Sequence, residues 1–476
     1  MSEQSMEAVN KPEENKMGTM PINKLLASMA LPMIISMLVQ AFYNIVDSFF
    51  VAKIKDGSEV VAGAVNSGTA ALNAVGMAFP FQTLLIAFGT GTCVGVNAIL
   101  SKALGEKDNK TVQKAATNGI FLSLCNFALF FLIGAFLAPT LIKTQGGSGL
   151  TLAYGSQYLS IVCMGSFGIY MQLIFERLLQ STGRTVYSMY SQMLGAIINI
   201  VLDPILIFGL GPFPEMKVAG AAIATITGQI CAAIFAIILN LKVNDDVKVS
   251  FKGFKPDKAI IGRIYTVAIP SITMQAIGSV MVFTFNRILS SIELASVAVF
   301  TVYFKLQSLF FMPLFGLNNG MVPIVAYNYG AQKRRRIYQV IKLTMLCAFC
   351  FMAVGFTLFE LIPDKLLLIF DTGEASLLTF GVPALKIIGT HYLIAWFCII
   401  GSTVFQALGN GIYSLWVSVC RQLIVLIPAA YILAKIGGLS LIWWSFPLAE
   451  LMSMVVNIIF LIKINRDVIS KIPDLE

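Results

Sequence analysis

Four polar residues inside apolar segments are the strongest candidates for chemistry in this chain. Asp47 lies six residues before Lys53, where its apolar segment ends. Asp203 lies six residues before Gly209, the end of its own segment. At a helical rise of 1.5 Å per residue, both carboxyl groups should lie about 9 Å inside the apolar region. The predicted cation-coupling site comprises Asp47, Asn199, Asp203 and Thr225, with Asn44 and Gln82 as supporting polar groups.

Charged side chains within apolar segments are costly and usually mark an ion or substrate pathway. The alternative is a hydrogen-bond network that only locks helices together. Carboxylates are an expensive choice for packing alone, so we favour the functional interpretation.

A second set of polar residues lies in the C-terminal half. Arg421 and Glu450 are on neighbouring apolar segments, and we expect a structural ion pair rather than a substrate site. We expect His391 to be a hydrogen-bonded packing residue. Glu176 and Arg177 lie near the end of a segment and are expected to contact lipid headgroups. The secondary candidates are Lys305, His391, Arg421 and Glu450.

The composition indicates a membrane protein. The chain is 57% hydrophobic and 12% charged, whereas soluble domains carry about 25% charged residues. Apolar segments of about 20 residues recur and favour membrane-spanning helices over the shorter, alternating strands of a barrel. The predicted fold class is an all-α polytopic membrane protein with about twelve transmembrane helices. They cover residues 28–52, 69–101, 112–138, 150–179, 186–208, 218–241, 264–288, 295–329, 337–361, 377–407, 412–434 and 439–462.

The sequence also contains an internal duplication. Gly91-x-x-x-Gly95 recurs as Gly316-x-x-x-Gly320 at an offset of 225, and Gln180-Ser-Thr-Gly183 recurs as Gln406-Ala-Leu-Gly409 at an offset of 226. Duplicated hydrophobic proteins are typical of secondary transporters, whose substrate path lies between the repeats. The glycine motifs permit close helix packing. The predicted organisation is a tail (1–23), a six-helix bundle (24–242), a linker (243–262), a second, pseudo-symmetric six-helix bundle (263–465) and a tail (466–476).

Lysine and arginine are concentrated in alternate loops, including the cluster 333–336. The positive-inside rule then predicts that both termini are cytoplasmic. We expect the protein to lie in the plasma (inner) membrane. The net charge of +9 therefore reflects membrane topology and lipid contact, and we expect no nucleic-acid partner. The polar residues 1–23 precede a full-length span, so we expect a cytoplasmic tail and not a cleavable signal peptide.

Cofactor chemistry has little support in the sequence. The eight cysteines lie in apolar segments, and Cys347-x-x-Cys350 lacks accompanying ligands, so we expect no metal site. No phosphate-binding loop or zinc-protease motif occurs. We therefore expect no cofactor and transport driven by an ion gradient.

The residues of the acidic cluster and the repeated segments described above lie in motifs that resemble those of the multidrug and toxic compound extrusion (MATE) transporters. The resemblance covers about residues 24–462 and implies two six-helix bundles that open alternately to each side of the membrane. It also implies export of organic, mostly cationic compounds in exchange for H⁺ or Na⁺ by a non-enzymatic protein, for which we expect a monomer. Family members have a cation site at positions matching the acidic cluster. The motifs are Asn44-Ile-Val-Asp47, Pro80-x-Gln82, Asn199-Ile-Val-Leu-Asp203-Pro204, Gly220-Ala-Ala-Ile-Ala-Thr225, Asn328-Tyr-Gly330 and Gln406-Ala-Leu-Gly409.

The acidic pair is absent from the second half, where Phe285 corresponds to Asp47 and Ile427 to Asp203. Some branches of the family carry acids in the C-terminal half, and this chain departs from them, which argues against a second coupling site. Two other functions remain open. A flippase for a lipid-linked saccharide should have an arginine-lined cavity, and an intramembrane enzyme should have a nucleophile–base or metal cluster.

Overall fold

The protein is described by a computed structural model over residues 15–52, 54, 67–292, 294–368 and 375–473. Within these ranges, ten helices are long and apolar enough to cross a membrane, or up to twelve if each of two bent pairs counts as one span. The sequence prediction of an all-α protein with about twelve spans is confirmed. The segments are α1 (Ile22–Ala52), α2 (Ser67–Gly105), α3 (Asn109–Phe136), α4 (Gly149–Met164 with Phe167–Ser181), α5 (Thr185–Phe208), α6 (Lys217–Val243), α7 (Lys258–Ile292), α8 (Leu294–Gly330), α9 (Arg334–Leu361), α10 (Ala375–Gly389 with Tyr392–Ala407), α11 (Gly411–Ile442) and α12 (Ser445–Asp467).

Two spans that the sequence predicts as continuous are broken. Helix α4 bends by 44° at Gly165–Ser166, and α10 bends by 51° at Thr390–His391. The bend in α4 coincides with a close approach, because a Cβ atom at Gly165 would lie 2.2 Å from Ile226 Cδ1. The apolar pattern alone did not reveal either bend.

The boundary between the last two spans also differs from the prediction. Helix α11 continues to Ile442, and α12 begins at Ser445 rather than at residue 439. Gly437 and Gly438 depart from helical geometry within α11, with φ of 59° at Gly438. Earlier in α11, Cys420–Leu426 forms a π-helix. Extra residues per turn in such a stretch change which side chains face a neighbour, and they occur frequently at functional sites.

The duplicated glycine motifs join the two halves of the chain. A Cβ atom at Gly95 of α2 would lie 2.4 Å from Ile264 O of α7. A Cβ atom at Gly320 of α8 would lie 2.7 Å from Ala30 Cα of α1. The first helix of each half therefore packs against the second helix of the other half at distances that only glycine allows.

One end of the bundle is closed by further contacts between the halves. We call it the terminal face, because it carries the short helix Lys16–Thr19 and Ser470, whose carbonyl oxygen accepts from Arg334 at 3.1 Å. A Cβ atom at Gly105 would lie 2.0 Å from Tyr327 O, and one at Gly330 would lie 2.0 Å from Lys102 O. The ends of α2 and α8 are thus in backbone contact.

Candidate functional site

A large cavity of about 1510 Å³ lies between the two halves of the chain. Its lining includes Gly76, in the part of α2 far from the terminal face, and Gln145, which follows the short helix Ala138–Thr144 after α3. Toward the terminal face the lining reaches Val94 and Val322, and the glycine contacts of α2 and α8 close the bundle beyond them. The cavity exceeds the usual range for ligand pockets, about 300–1,000 Å³.

Asp203 lies on α5 next to the wall of this cavity and is fully buried. In the orientation of the Asn199 amide that satisfies both neighbours, its nitrogen donates to Asp203 Oδ2 at 3.3 Å. Its oxygen then accepts from the backbone N–H of Thr225 at 3.1 Å and from Thr225 Oγ1 at 3.3 Å. Asn199 and Asp203 are four residues apart on one helical face, as their spacing predicts. The structure thus brings Asn199, Asp203 and Thr225 into one hydrogen-bonded group.

Asp47 approaches this group from α1 and interacts electrostatically with Asp203. Two tyrosines that were not identified from the sequence, Tyr43 and Tyr158, lie within electrostatic range of both acids. The Gln82 side chain hydrogen-bonds the hydroxyl group of Tyr158. Tyr43 lies one turn from Asp47, a spacing that could have identified it, whereas Tyr158 had no such signal. The side chain of Asn44 lies outside the described residues.

The two acids do not line the cavity, but their neighbours do. Asn199, Thr225, Gln82 and Tyr43 all contribute to its wall. Asp47 Oδ1 and Asp203 Oδ1 are buried and have no hydrogen-bond partner among the described side chains. No cation of the described residues forms an ion pair with either acid within 4.0 Å. A buried carboxylate without a counter-ion is expensive, so this arrangement suits a group that takes up a proton or a small cation.

The expectation that Glu176 and Arg177 contact lipid headgroups is wrong. Both side chains are buried and line the cavity from α4. Gln172 Nε2 and Gln192 Nε2 donate to the Glu176 carboxylate at 2.9 and 2.8 Å. Neither residue could be placed from its distance to the end of the span, because the bend in α4 redirects the helix.

Arg177, in the N-terminal half, donates a hydrogen bond to Asn319 in the C-terminal half. Its Nη1 atom lies 3.3 Å from Asn319 Oδ1 on α8. A second contact of this kind joins Gln275 Nε2 on α7 to Thr90 Oγ1 on α2 at 2.9 Å. Such hydrogen bonds must break if the two halves separate on this side of the cavity.

The predicted ion pair between Arg421 and Glu450 is present. Arg421 Nη1 lies 3.5 Å from Glu450 Oε2, and both residues line the cavity. His391 also lines it, at the bend of α10, where its Nδ1–H donates to the carbonyl oxygen of Ile388. His391 is thus a hydrogen-bonded and packed histidine, as expected. Lys305 is exposed and is absent from the cavity lining.

The aromatic and methionine lining comes mainly from the C-terminal half. The sequence does not single out these residues: Phe42, Met77, Phe175 and Met193 are equally plausible by type, and none of them lines the cavity. Period and composition do not distinguish a cavity-facing phenylalanine from a lipid-facing one. Besides Tyr43, the lining residues of these types are Met37, Phe79, Met274, Met281, Phe283, Phe304, Phe311, Met312, Phe315 and Phe446.

The duplicated helices, the central cavity and the buried acids define a class, the polytopic α-helical membrane transporters. The sequence matches the MatE family over residues 32–205 and 270–432, and the chain belongs to this family. It is a transporter and not an enzyme.

Relatives and solved structures agree with this assignment. Multidrug export protein MepA of Staphylococcus aureus (strain bovine RF122 / ET3-1) is 26% identical over 430 residues, covering 90% of this chain and 91% of that protein. The MepA of Staphylococcus haemolyticus (strain JCSC1435) is 27% identical over 429 residues, with the same coverage of 90% and 91%. A multidrug resistance MATE family transporter in an outward-facing conformation has a TM-score of 0.87 at 23% identity, covering 97% of this chain and 99% of that one. A MOP superfamily transporter from Pyrococcus furiosus Vc1 (DSM3638) has a TM-score of 0.86 at 24% identity, with coverage of 97% and 99%.

Proposed function

We propose that this protein is a secondary antiporter that exports hydrophobic organic cations across the plasma (inner) membrane. Export is driven by inward movement of H⁺ or Na⁺, and no other cofactor takes part. The site of ion coupling is the group formed by Asp47, Asn199, Asp203 and Thr225. The observation that carries the proposal is an acidic pair without a counter-ion among the described residues, directly behind a large cavity with an aromatic lining. Asp203 is fully buried and Asp47 is partly buried. Multidrug export, for which the MepA relatives are named, agrees with it.

Coupling follows from differential affinity for two conformations. A proton or Na⁺ that binds at Asp47 and Asp203 stabilises one arrangement of the halves, and an organic cation stabilises the other. Asn199 both donates to Asp203 and lines the cavity, so a change at the acid alters the surface that a substrate meets. Linked sites of this kind typically differ by about 1–3 kcal/mol in coupling free energy.

The experiment is transport in proteoliposomes with an imposed pH or Na⁺ gradient and ethidium as the organic cation. Asp47→Asn and Asp203→Asn should each abolish gradient-driven transport, because the amide cannot exchange a proton or hold Na⁺. Glu106→Gln is the matched control, since Glu106 belongs to an exposed ion pair with Lys102. Wild-type rates in both variants at the acidic pair would place the coupling site elsewhere.

A flippase for a lipid-linked saccharide is the second candidate. It requires an excess of cationic groups to hold an anionic headgroup. The cavity is lined by Arg177 and Arg421, but it is also lined by Glu176 and Glu450. Since these basic and acidic side chains are equal in number, the lining lacks the cationic excess that a flippase requires.

We further propose that the terminal face is cytoplasmic and that the protein works as a monomer surrounded by lipid. Single cysteines at positions 107, 252 and 335 should then be inaccessible to a membrane-impermeant maleimide in intact cells. In the predicted external loop around Gly147, a cysteine at the exposed position 148 should be labelled. Positions 56 and 372, also predicted to be external, lie outside the described residues. Labelling at position 252 from outside contradicts the orientation.

A further inference from the structure

We propose that Glu450, with Gln422 and the rings of Phe311 and Phe446, forms the subsite that binds the cationic group of the organic substrate, and that Arg421 is its displaceable counter-ion. This inference rests on the proposed function and deepens it. It separates the carboxylate that binds substrate, in the C-terminal half, from the carboxylates that bind the coupling ion, in the N-terminal half.

Two buried hydrogen-bond acceptors in this region lack a hydrogen-bond donor among the described residues. Glu450 and Gln422 are 3% and 6% exposed, and both line the cavity. Glu450 Oε1 and Gln422 Oε1 have no hydrogen-bond partner in the part of the chain that the structure describes. Buried acceptors of this kind are rarely left unpaired, because each loses its hydration. Both can be satisfied by a ligand that carries positive charge or N–H donors.

The helical geometry orients these groups toward the cavity. Arg421 and Gln422 belong to the π-helix Cys420–Leu426, whose wider turn shifts its side chains relative to a regular α-helix. The Gln422 amide nitrogen donates to Ser418 Oγ at 3.1 Å, which holds the amide in place. An ordinary structural ion pair requires no such interruption of the helix.

The ion pair itself is weakly held. A single contact of 3.5 Å joins Arg421 Nη1 to Glu450 Oε2, and the arginine side chain is 30% exposed while the glutamate side chain is 5% exposed. A strong arginine–carboxylate pair is instead bidentate, with contacts near 2.8 Å. The guanidinium group can therefore move into the cavity when another cation takes its place, whereas the carboxylate is fixed.

Aromatic rings complete a surface suited to a large, weakly hydrated cation. Phe446 lies one helical turn before Glu450 on α12, and Phe311 lies on α8; both line the cavity. Both rings pack near His391. The centroid of the His391 ring lies 6.1 Å from that of Phe446 and 6.3 Å from that of Phe311. The ring faces attract organic cations, and the adjoining carboxylate adds charge complementarity.

Binding of tetraphenylphosphonium to the purified full-length protein tests the subsite. Glu450→Gln should weaken binding about tenfold or more, which corresponds to about 1.4 kcal/mol. Arg421→Gln should strengthen it several-fold, because the competing counter-ion is gone. Phe311→Leu should weaken binding about threefold through loss of the cation–π contact. Glu106→Gln, which removes an acid from an exposed ion pair of similar length, 3.6 Å, should leave binding unchanged.

The opposite signs for Glu450→Gln and Arg421→Gln separate a binding role from a structural one. A purely structural pair predicts that both variants lose thermal stability and that neither gains affinity. Wild-type affinity in Glu450→Gln, or weaker binding in Arg421→Gln with an unchanged unfolding temperature, overturns the proposal. If Glu450→Gln does not fold, Glu450→Asp and Phe311→Leu provide the test, and unchanged affinity in both overturns it. If the wild-type protein shows no gradient-driven transport of an organic cation, that result instead contradicts the proposed function.

Discussion

The two halves of the chain pack alike but hold their buried charge differently. In the N-terminal half, Asp47 and Asp203 are close to each other and have no cationic partner within the described residues. In the C-terminal half, Glu450 has Arg421 at 3.5 Å. A carboxyl group without a counter-ion is stable in an apolar region when it is neutral or ion-bound, whereas a paired one can stay charged. The first arrangement suits a site that changes charge, and the second suits a site that keeps it.

The positions equivalent to the acidic pair show how the second half fills the same space. Phe285, the counterpart of Asp47, is fully buried and packs against Phe300 and Phe446 at centroid distances of 4.6 and 5.1 Å. The ring centroid of Trp443 lies 6.1 Å from that of Phe285. An aromatic core thus replaces the polar group, and the charged residues of this half lie instead at the wall of the cavity. Duplication preserved the backbone packing and left the charged chemistry free to diverge.

The largest expected effect tests the shared packing. Gly95→Leu and Gly320→Leu should each destabilise the protein severely, by about 3 kcal/mol or more, because a side chain cannot fit at 2.4 and 2.7 Å from the facing helix. Monodisperse yield and unfolding temperature in detergent measure the effect. Gly262→Leu is the control, since a Cβ atom there meets nothing within 4 Å. A severe loss in only one half means that the two interfaces are not equivalent.

Charge separation between the halves gives the next prediction. Raising the concentration of the coupling ion should weaken tetraphenylphosphonium binding about tenfold in the wild-type protein. Asp203→Asn should remove this ion dependence while retaining affinity. Glu450→Gln should lower affinity at every ion concentration and leave the dependence intact. Equilibrium binding across pH and Na⁺ titrations measures both, and loss of the ion dependence in Glu450→Gln would assign coupling to the C-terminal half.

Much of the architecture could be predicted from the sequence because the membrane restricts the choice of structures. Apolar segments of sufficient length can only be helices there, and the repeated glycines of α2 and α8 marked close helix contacts between the two halves. The bends of α4 and α10 could not be predicted, because they depend on side chains that meet from distant parts of the chain. The acidic site was partly predictable, because Asn199 and Asp203 share a helical face.

The lining of the cavity could not be predicted. Glu176 is buried and accepts from Gln172 and Gln192, and Glu450 pairs with Arg421, which belongs to a π-helix that no sequence pattern indicates. Hydrophobic periodicity reports the apolar side of a helix, but in a membrane both lipid and protein are apolar. A phenylalanine facing the cavity therefore has the same pattern as one facing lipid.

The smallest expected effect concerns one turn that the halves share. Asp108 caps α3, and its side chain accepts from the backbone N–H of Thr111 at 3.1 Å. The equivalent residue before α9 is Lys333, which makes no side-chain cap and donates to the carbonyl oxygen of Gly18 at 3.0 Å. Asp108→Ala should therefore destabilise the first turn of α3 by about 1 kcal/mol. Lys333→Ala should leave the first turn of α9 unchanged.

Amide hydrogen exchange measures this difference locally. Asp108→Ala should speed exchange of the first amides of α3 about fivefold, whereas Lys333→Ala should affect the segment around Gly18 instead. Hydrogen bonds from Thr111 lower the pKa of Asp108, which lies outside the spans. The cap therefore contributes fully above the unfolded pKa of about 3.9 and is lost as the pH falls through the lower folded value. Asp108→Asn keeps a hydrogen-bond acceptor at the cap and should remove this acid sensitivity. If Asp108→Asn and the wild-type protein are equally acid-sensitive, the sensitivity belongs to another group.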